Sequence, residues 1–172
     1  MSKKNPTIKE VLETKMIRNW TDWNFHWMPQ RLASRLVVTN GCFDIIHSGH
    51  VEFLAEARRL GDALVVGLNG DESVEKLKGK GRPINSAEDR AKVLAGFFFV
   101  NFIYIFEEER ATEFLKLAKP EVYTKAGDYT LESLVWEEKQ VLESEGTEIV
   151  FLPFVDGKST TKTLELLNNE SK

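Results

Sequence analysis

Apolar residues in this chain fall into short unbroken runs, separated by stretches with helical spacing. The runs are LVVTN (36–40), ALVVGLN (63–69), FVNFIYIF (99–106), VYTK (122–125) and EIVFLP (148–153). Each has the length and β-branched or aromatic content of a strand. Between the first two, Ser48 to Leu60 reads as a helix, with Val51, Leu54, Ala55 and Ala57 on one side and Glu52, Glu56, Arg58 and Arg59 elsewhere. A second helix is predicted from Ser86 to about Gly96, because Ser86 and Asp89 have the spacing of a capping box with Asp in place of Glu. Further helices are predicted over 111–117, 131–144 and 161–167. Strands apolar on both faces and separated by helices imply a parallel sheet covered on both sides. The expected fold is a doubly wound α/β domain: a five-stranded parallel sheet, helices on both faces and an N-terminal helical arm. Ligands of such folds bind outside the carboxyl ends of the strands, where the strand order switches.

Residues 1–35 break the alternation. They hold Trp20, Trp23, Trp27, His26 and Met28. They are expected to form a helical arm that packs aromatics onto the domain or a second subunit, with gating of the substrate as the alternative. The expected division is an arm over 1–35, a domain over 36–167 and a tail over 168–172.

The chemistry concentrates after the first predicted strand, in NGCFDIIHSGH (40–50), which holds two of the three histidines. His47 and His50 allow three readings. They could form a metal pair, with Cys42 the only nearby third ligand; they could be satisfied by backbone groups at a helix start; or they could bind phosphate. Phosphate is favoured, because a strand, a glycine-containing turn and a helix N-terminus aim backbone N–H groups and the helix dipole at an anion. Gly41 lets the backbone approach a ligand, and Gly49 leaves room above the first helical turn. Neither G-x-G-x-x-G nor G-x-x-x-x-G-K-[ST] is present, which argues against a dinucleotide oxidoreductase and a P-loop kinase.

Composition narrows the class further. The 172 residues fit one domain, with 42% hydrophobic and 29% charged residues. A formal net charge of −4 argues against a nucleic-acid partner. The single cysteine fits a reducing compartment, and no apolar run has the length of a membrane span or signal peptide. The expected location is the cytoplasm.

GCFDIIHSGH resembles the G-[TC]-F-D-x-x-H-x-G-H signature of the nucleotidyltransferase superfamily that includes cytidylyltransferases and pantetheine-phosphate adenylyltransferase. LKGKGRPINSAEDR (77–90), KAGDYT (125–130) and GKSTT (157–161) resemble the adenylyltransferase half of the bifunctional enzyme that makes ADP-heptose. The resemblance covers nearly all of 36–167. It implies a Rossmann-like fold and transfer of a nucleoside monophosphate from an NTP, with ATP favoured, to D-glycero-β-D-manno-heptose 1-phosphate, a lipopolysaccharide core precursor. It further implies Mg²⁺ carried with the NTP and a homodimer. Ala126 stands where relatives usually have Gly, and Lys158 where they often have Arg; Lys keeps the charge and loses the bidentate fork.

On this resemblance His47 and His50 hold the triphosphate and, with Lys78 and Arg82 of the glycine-rich basic loop, carry catalysis. Thr39, Gly41, Cys42, Phe43, Asp44 and Gly49 wall the nucleotide. Arg90 reaches its phosphates, or forms an ion pair with Glu88 or a neighbour. Asp44 either contacts the ligand or makes an Asx-type turn. Gly127, Asp128, Ser159, Thr160 and Thr161 complete the nucleotide side, the last three with helix capping as the alternative. Lys125 and Tyr129, with Asn69 and Asp71, are candidates for the sugar phosphate; Asn69 or Asp71 could instead hold a hydrated Mg²⁺. No residue is assigned as a direct metal ligand. A glycerol-3-phosphate cytidylyltransferase is the rival enzyme, although Phe154 and Lys158 depart from its last-loop pattern. A non-catalytic nucleotide-binding module is the rival outside enzymes.

Overall fold

A computed structural model describes residues 5–18, 35–127 and 129–153. The Trp-rich part of the arm, Asp128, and the predicted last loop and helix with Ser159, Thr160 and Thr161 lie outside these residues. Helix α1 (Ile8–Lys15) opens on a capping box between Thr7 and Glu10 and is followed by a two-residue strand β1 (Met16–Ile17). Then come β2 (Leu36–Gly41), α2 (Ser48–Arg59), β3 (Ala63–Asn69), α3 (Asp71–Lys78), α4 (Ala87–Ala95) and β4 (Phe102–Phe106). The described elements end with α5 (Thr112–Ala118), β5 (Val122–Ala126), α6 (Trp136–Ser144) and β6 (Glu148–Leu152).

The sheet is parallel throughout, in the order β1-β4-β3-β2-β5-β6. The chain thus builds outward from β2 through β3 to β4, then crosses back to lay β5 and β6 on the other side of β2. This is the expected doubly wound fold, with the switch point between β2 and β5. One strand was not expected. The arm contributes β1, which pairs Met16 and Ile17 with Ile103 and Tyr104. Two apolar residues are too short a run to read as a strand, and only the open edge of β4 makes them one. Lys15 secures this addition: its ammonium donates to the carbonyls of Ala95 (2.9 Å) and Phe97 (2.8 Å) at the end of α4, where helix carbonyls lack partners.

Two apolar layers flank the sheet. Leu36, Val38, Val65, Tyr123 and Phe106 pack under α5 and α6 with Phe114, Leu115 and Leu142. Val37, Leu64, Val66, Leu68 and Val122 pack under α2 and α4 with Phe53, Leu54 and Leu94. Gly67 in β3 makes close packing possible on the first side. A Cβ there would lie 2.4 Å from the ring of Phe114, and that ring is stacked on Tyr104 and Phe106 with centroids 5.6 and 5.8 Å away. With the ring held by its neighbours, Gly67→Ala is expected to cost about 1–3 kcal/mol by overpacking, read as a lower urea midpoint with an unchanged slope.

Three elements differ from the sequence reading. The helix predicted from Leu131 begins at Trp136, after a turn closed by the Thr130 N–H on the Ser133 hydroxyl and the Ser133 N–H on the Thr130 carbonyl. The strand predicted from Phe99 begins at Phe102, because Asn101 ends the preceding turn by pairing with β3: its Oδ1 accepts from the Leu64 N–H and its own N–H donates to the Leu64 carbonyl. Helix α3 falls where a loop was expected. It has few apolar residues, but Asp71 and Glu72 open it and Lys76 and Lys78 close it, as the helix dipole favours.

Candidate active site

A cavity of about 370 Å³ opens at the carboxyl edge of the sheet, where β2 and β5 diverge. One wall is the end of β2 and the start of α2, with Thr39, Gly41, Cys42, Phe43, Asp44, His47, Gly49 and His50. Asn69 ends β3 and Lys78 ends α3 on its rim; Lys125 lines it from β5 and Tyr129 from the segment that follows. These twelve predicted residues therefore converge. Gly127 follows β5 with a positive φ of 101° and donates its N–H to Leu152, and it is not part of the lining.

Local backbone shapes the nucleotide wall. Phe43 adopts φ 46°, a conformation that bulky residues rarely take. Its ring folds back over Gly41, where a Cβ would come within 3.1 Å of it, and meets the His50 ring at 5.3 Å. Beyond α3, Gly79 and Gly81 carry φ values of 89° and 88°, so two residues free of a Cβ set the path of the basic loop.

His47 occupies the N-cap of α2 and His50 its third position, with ring centroids 3.9 Å apart. The His47 N–H lies 3.4 Å from His50 Nδ1, which accepts from it. An accepting Nδ1 places the proton of a neutral imidazole on Nε2, where it can be donated to an oxygen. Burial, then the His47 and Lys78 charges, push the His50 pKa down to about 4, so the ring is neutral at pH 7. The folded state thus refuses a proton that the unfolded chain accepts near pH 6.5, and this stability is complete above pH 6.5 and lost as pH falls toward 4. Relative to His50→Gln, the wild-type protein is expected to lose on the order of 2 kcal/mol between pH 7 and 4.5, a figure discounted for partial solvent access. Parallel urea titrations of the two proteins across that range measure it; a constant difference would refute the placement of His50.

Burial also pushes the Cys42 thiol up, against the lowering effect of Lys78 and Arg90. Cys42 is thus a neutral thiol at pH 7 and a poor nucleophile.

Three predicted ligands are used elsewhere. Arg82 donates from Nε to Asp44 at 2.6 Å, and its terminal nitrogen lies 2.5 Å from the same carboxylate oxygen. Asp44, 2% exposed, also accepts from the N–H groups of Ile84 (2.7 Å) and Asn85 (3.2 Å). Burial alone would raise its pKa, but these donors outweigh burial and hold the carboxyl below its usual range. Asp44 is thus the anchor of the 82–85 loop. Arg90, 1% exposed, donates to the carbonyls of Asn85, Cys42 and Asn69 at 2.9, 2.6 and 2.7 Å and to Asp71 Oδ1 at 2.7 Å. Asp71 Oδ1 also accepts from the Ala87 N–H. Arg82, Arg90 and Asp71 lie outside the cavity lining; they brace the strand ends from behind. Lys76 pairs with Glu72 at 3.9 Å, a solvated helix pair.

The structure adds lining residues that the sequence did not single out, among them Asn40, Glu109, Arg110, Ser133 and Glu138. Asn40 takes the Tyr123 hydroxyl on Oδ1 (2.6 Å) and the Lys125 ammonium on its carbonyl (3.3 Å). Glu109 and Arg110 follow β4, so the strand-end argument could have found them. Glu138 sits in the first turn of α6, where an acidic residue reads as a helix-dipole partner rather than a ligand. Among the described residues no group of three or more His, Cys, Asp or Glu is placed to hold a metal, and no helix is long and apolar enough to cross a membrane.

A doubly wound sheet with a histidine pair at the N-terminus of the helix after β2 fits a nucleotide-binding α/β protein. Residues 38–161 match the cytidylyltransferase-like family, and the chain belongs to it. It is 48% identical over 141 residues to the bifunctional protein HldE of Aliarcobacter butzleri and 47% identical over 133 residues to that of Pelobacter propionicus, covering 82% and 77% of this chain. The chain spans only 28% and 27% of those relatives. Among solved structures, a lipopolysaccharide core biosynthesis protein from Thermoplasma volcanium matches with TM-score 0.58 at 24% identity, over 73% of this chain and all of that one. Pantoate-beta-alanine ligase from Francisella tularensis matches with TM-score 0.56 at 14% identity, over 91% of this chain and 77% of that one. Both likenesses concern the fold.

Proposed function

We propose that this protein transfers adenylate from ATP to D-glycero-β-D-manno-heptose 1-phosphate, releasing pyrophosphate and forming ADP-heptose for lipopolysaccharide core synthesis. The observation that carries the reading is the His47–His50 pair, set at a helix N-terminus inside a cavity at the switch point. The motifs shared with the ADP-heptose enzyme and the HldE relatives support the acceptor.

In this reading an acceptor phosphate oxygen attacks the α-phosphorus, the bond to the bridging oxygen breaks, and pyrophosphate leaves in line. The acceptor is already anionic, so no strong base is needed, and positioning with charge neutralisation carries the rate. Neutral His50 donates from Nε2 toward the leaving phosphates, and the α2 N-terminus adds its N–H groups. Lys78 and Lys125 supply positive charge from opposite rims. Mg²⁺ would arrive with the triphosphate and would neutralise part of its charge; Asn69, which lines the cavity, would offer its side-chain oxygen to the ion's hydration shell, while Asp71 is occupied by Arg90. Arg82 could serve catalysis only after leaving Asp44. The working unit we propose is a cytoplasmic homodimer, by resemblance.

The test is Mg²⁺-dependent pyrophosphate release from ATP and from CTP, each with heptose 1-phosphate and with glycerol 3-phosphate. Release that requires ATP and heptose 1-phosphate is expected. Release only with CTP and glycerol 3-phosphate would assign the rival reaction, and none with any pair would leave a binding module.

A further inference from the structure

We propose that Glu138 is a specificity-determining residue that accepts hydrogen bonds from hydroxyl groups of the acceptor sugar, which makes the α5–α6 side of the cavity the acceptor half. This rests on the transferase reading above. Glu138 is 4% exposed and lines the cavity. Its Oε1 accepts the Ala111 N–H at 2.8 Å, at the start of α5. Among the described residues Oε2 has no hydrogen-bond partner. Oε2 keeps solvent contact inside the cavity, so a ligand there can reach it and donate to it.

Chemistry says which ligand. The cavity is built for anions, and a second carboxylate would repel a bare phosphate. A sugar 1-phosphate resolves the conflict, because its phosphate can take Lys125 or Arg110 while its neighbouring hydroxyls donate to Glu138. Glu138 and Lys125 both line the cavity, so carboxylate and cation face one space. Reaction geometry agrees. The histidine pair holds the leaving phosphates on the α2 side of the sheet, and in-line attack requires the acceptor on the opposite side of the α-phosphorus. Arg110 just before α5, Glu138 in α6 and Lys125 at the end of β5 all line the cavity. The Lys125 ammonium lies 5.5 Å from the Tyr129 ring centre, which adds an aromatic wall to that half.

Glu138→Gln tests this, because its amide oxygen can still accept from Ala111. Two readouts are needed: steady-state kinetics with ATP and heptose 1-phosphate, and calorimetric binding of heptose 1-phosphate in the presence of a non-hydrolysable ATP analogue. The expected result is a rise of about tenfold or more in the sugar-phosphate KM and Kd, the loss of a charge-assisted hydrogen bond, with the ATP KM within about twofold. Single-deoxy acceptors should include one that penalises the wild-type protein but not Glu138→Gln. An unchanged sugar-phosphate affinity, or equal losses for both substrates, would overturn the assignment. Sugar binding that weakens in Glu138→Gln without any turnover by the wild-type protein would refute the transfer reading and leave Glu138 in its role. No sugar binding by the wild-type protein would overturn both.

Discussion

His50→Ala should lower kcat by about 10²–10³ while the protein stays folded, the usual cost of removing one preorganised donor from a developing oxyanion. The reason lies in the tautomer. The His47 N–H donates to His50 Nδ1, so the proton sits on Nε2 without any rearrangement at the moment of reaction. Alanine removes this donor and leaves a water-accessible N–H at the cavity edge, a small structural loss. ATP affinity should fall much less than kcat, because in the proposed reading the α2 N-terminus, His47 and Lys78 would still bind the phosphates. His50→Gln should recover part of the rate if its amide nitrogen takes the place of Nε2. Steady-state kinetics with a parallel melting curve measure all three quantities. A folded His50→Ala protein with kcat within about threefold of wild type would remove His50 from the mechanism.

Arg90→Met should destabilise the fold by about 3–5 kcal/mol, the range for removing one partner of a buried charged network. Methionine fills much the same space, so the loss reports hydrogen bonds more than a cavity. The carbonyls of Cys42, Asn69 and Asn85 would each lose a donor, and Asp71 its ion pair. Arg90→Lys should rescue little, since one ammonium cannot reach four acceptors in different directions. Urea unfolding gives the number, with the slope reporting whether the native state stays compact. A variant with wild-type stability and weakened ATP binding would instead return Arg90 to the nucleotide. Because the Cys42 and Asn69 carbonyls sit at the ends of β2 and β3, any activity lost by Arg90→Met should follow from the misplaced strand ends.

The elements that were legible in the sequence are those whose signal is local. The strands around Leu36, Ala63, Val122 and Glu148 announce themselves as unbroken apolar runs, because both faces of a parallel strand are buried. Ser86 caps α4 as its spacing predicted, accepting from the Asp89 N–H at 3.2 Å. Helix α3 went unread because its stability comes from charges at its ends and from the burial of Ser73 and Val74. The stretch from Phe99 to Asn101 was over-read as strand because apolar content says nothing about direction; the chain is still turning there, and the neighbouring Phe98 is 90% exposed.

By itself the sequence determined the class of fold, the strand edge where the cavity opens and the histidine pair that lines it. These follow from hydrophobic periodicity and from a contiguous motif, where the residues that act together are neighbours in the chain. Only the tertiary structure decided the roles of long polar side chains. Arg82, Arg90 and Asp71 sit in phosphate-competent stretches, yet each has a closer partner among backbone carbonyls and carboxylates from distant segments. Glu138 lies nearly a hundred positions from His47, in a helix whose sequence gives no reason to single it out. A guanidinium or carboxylate pairs with whatever the fold brings within about 3 Å, and no local pattern encodes that distance.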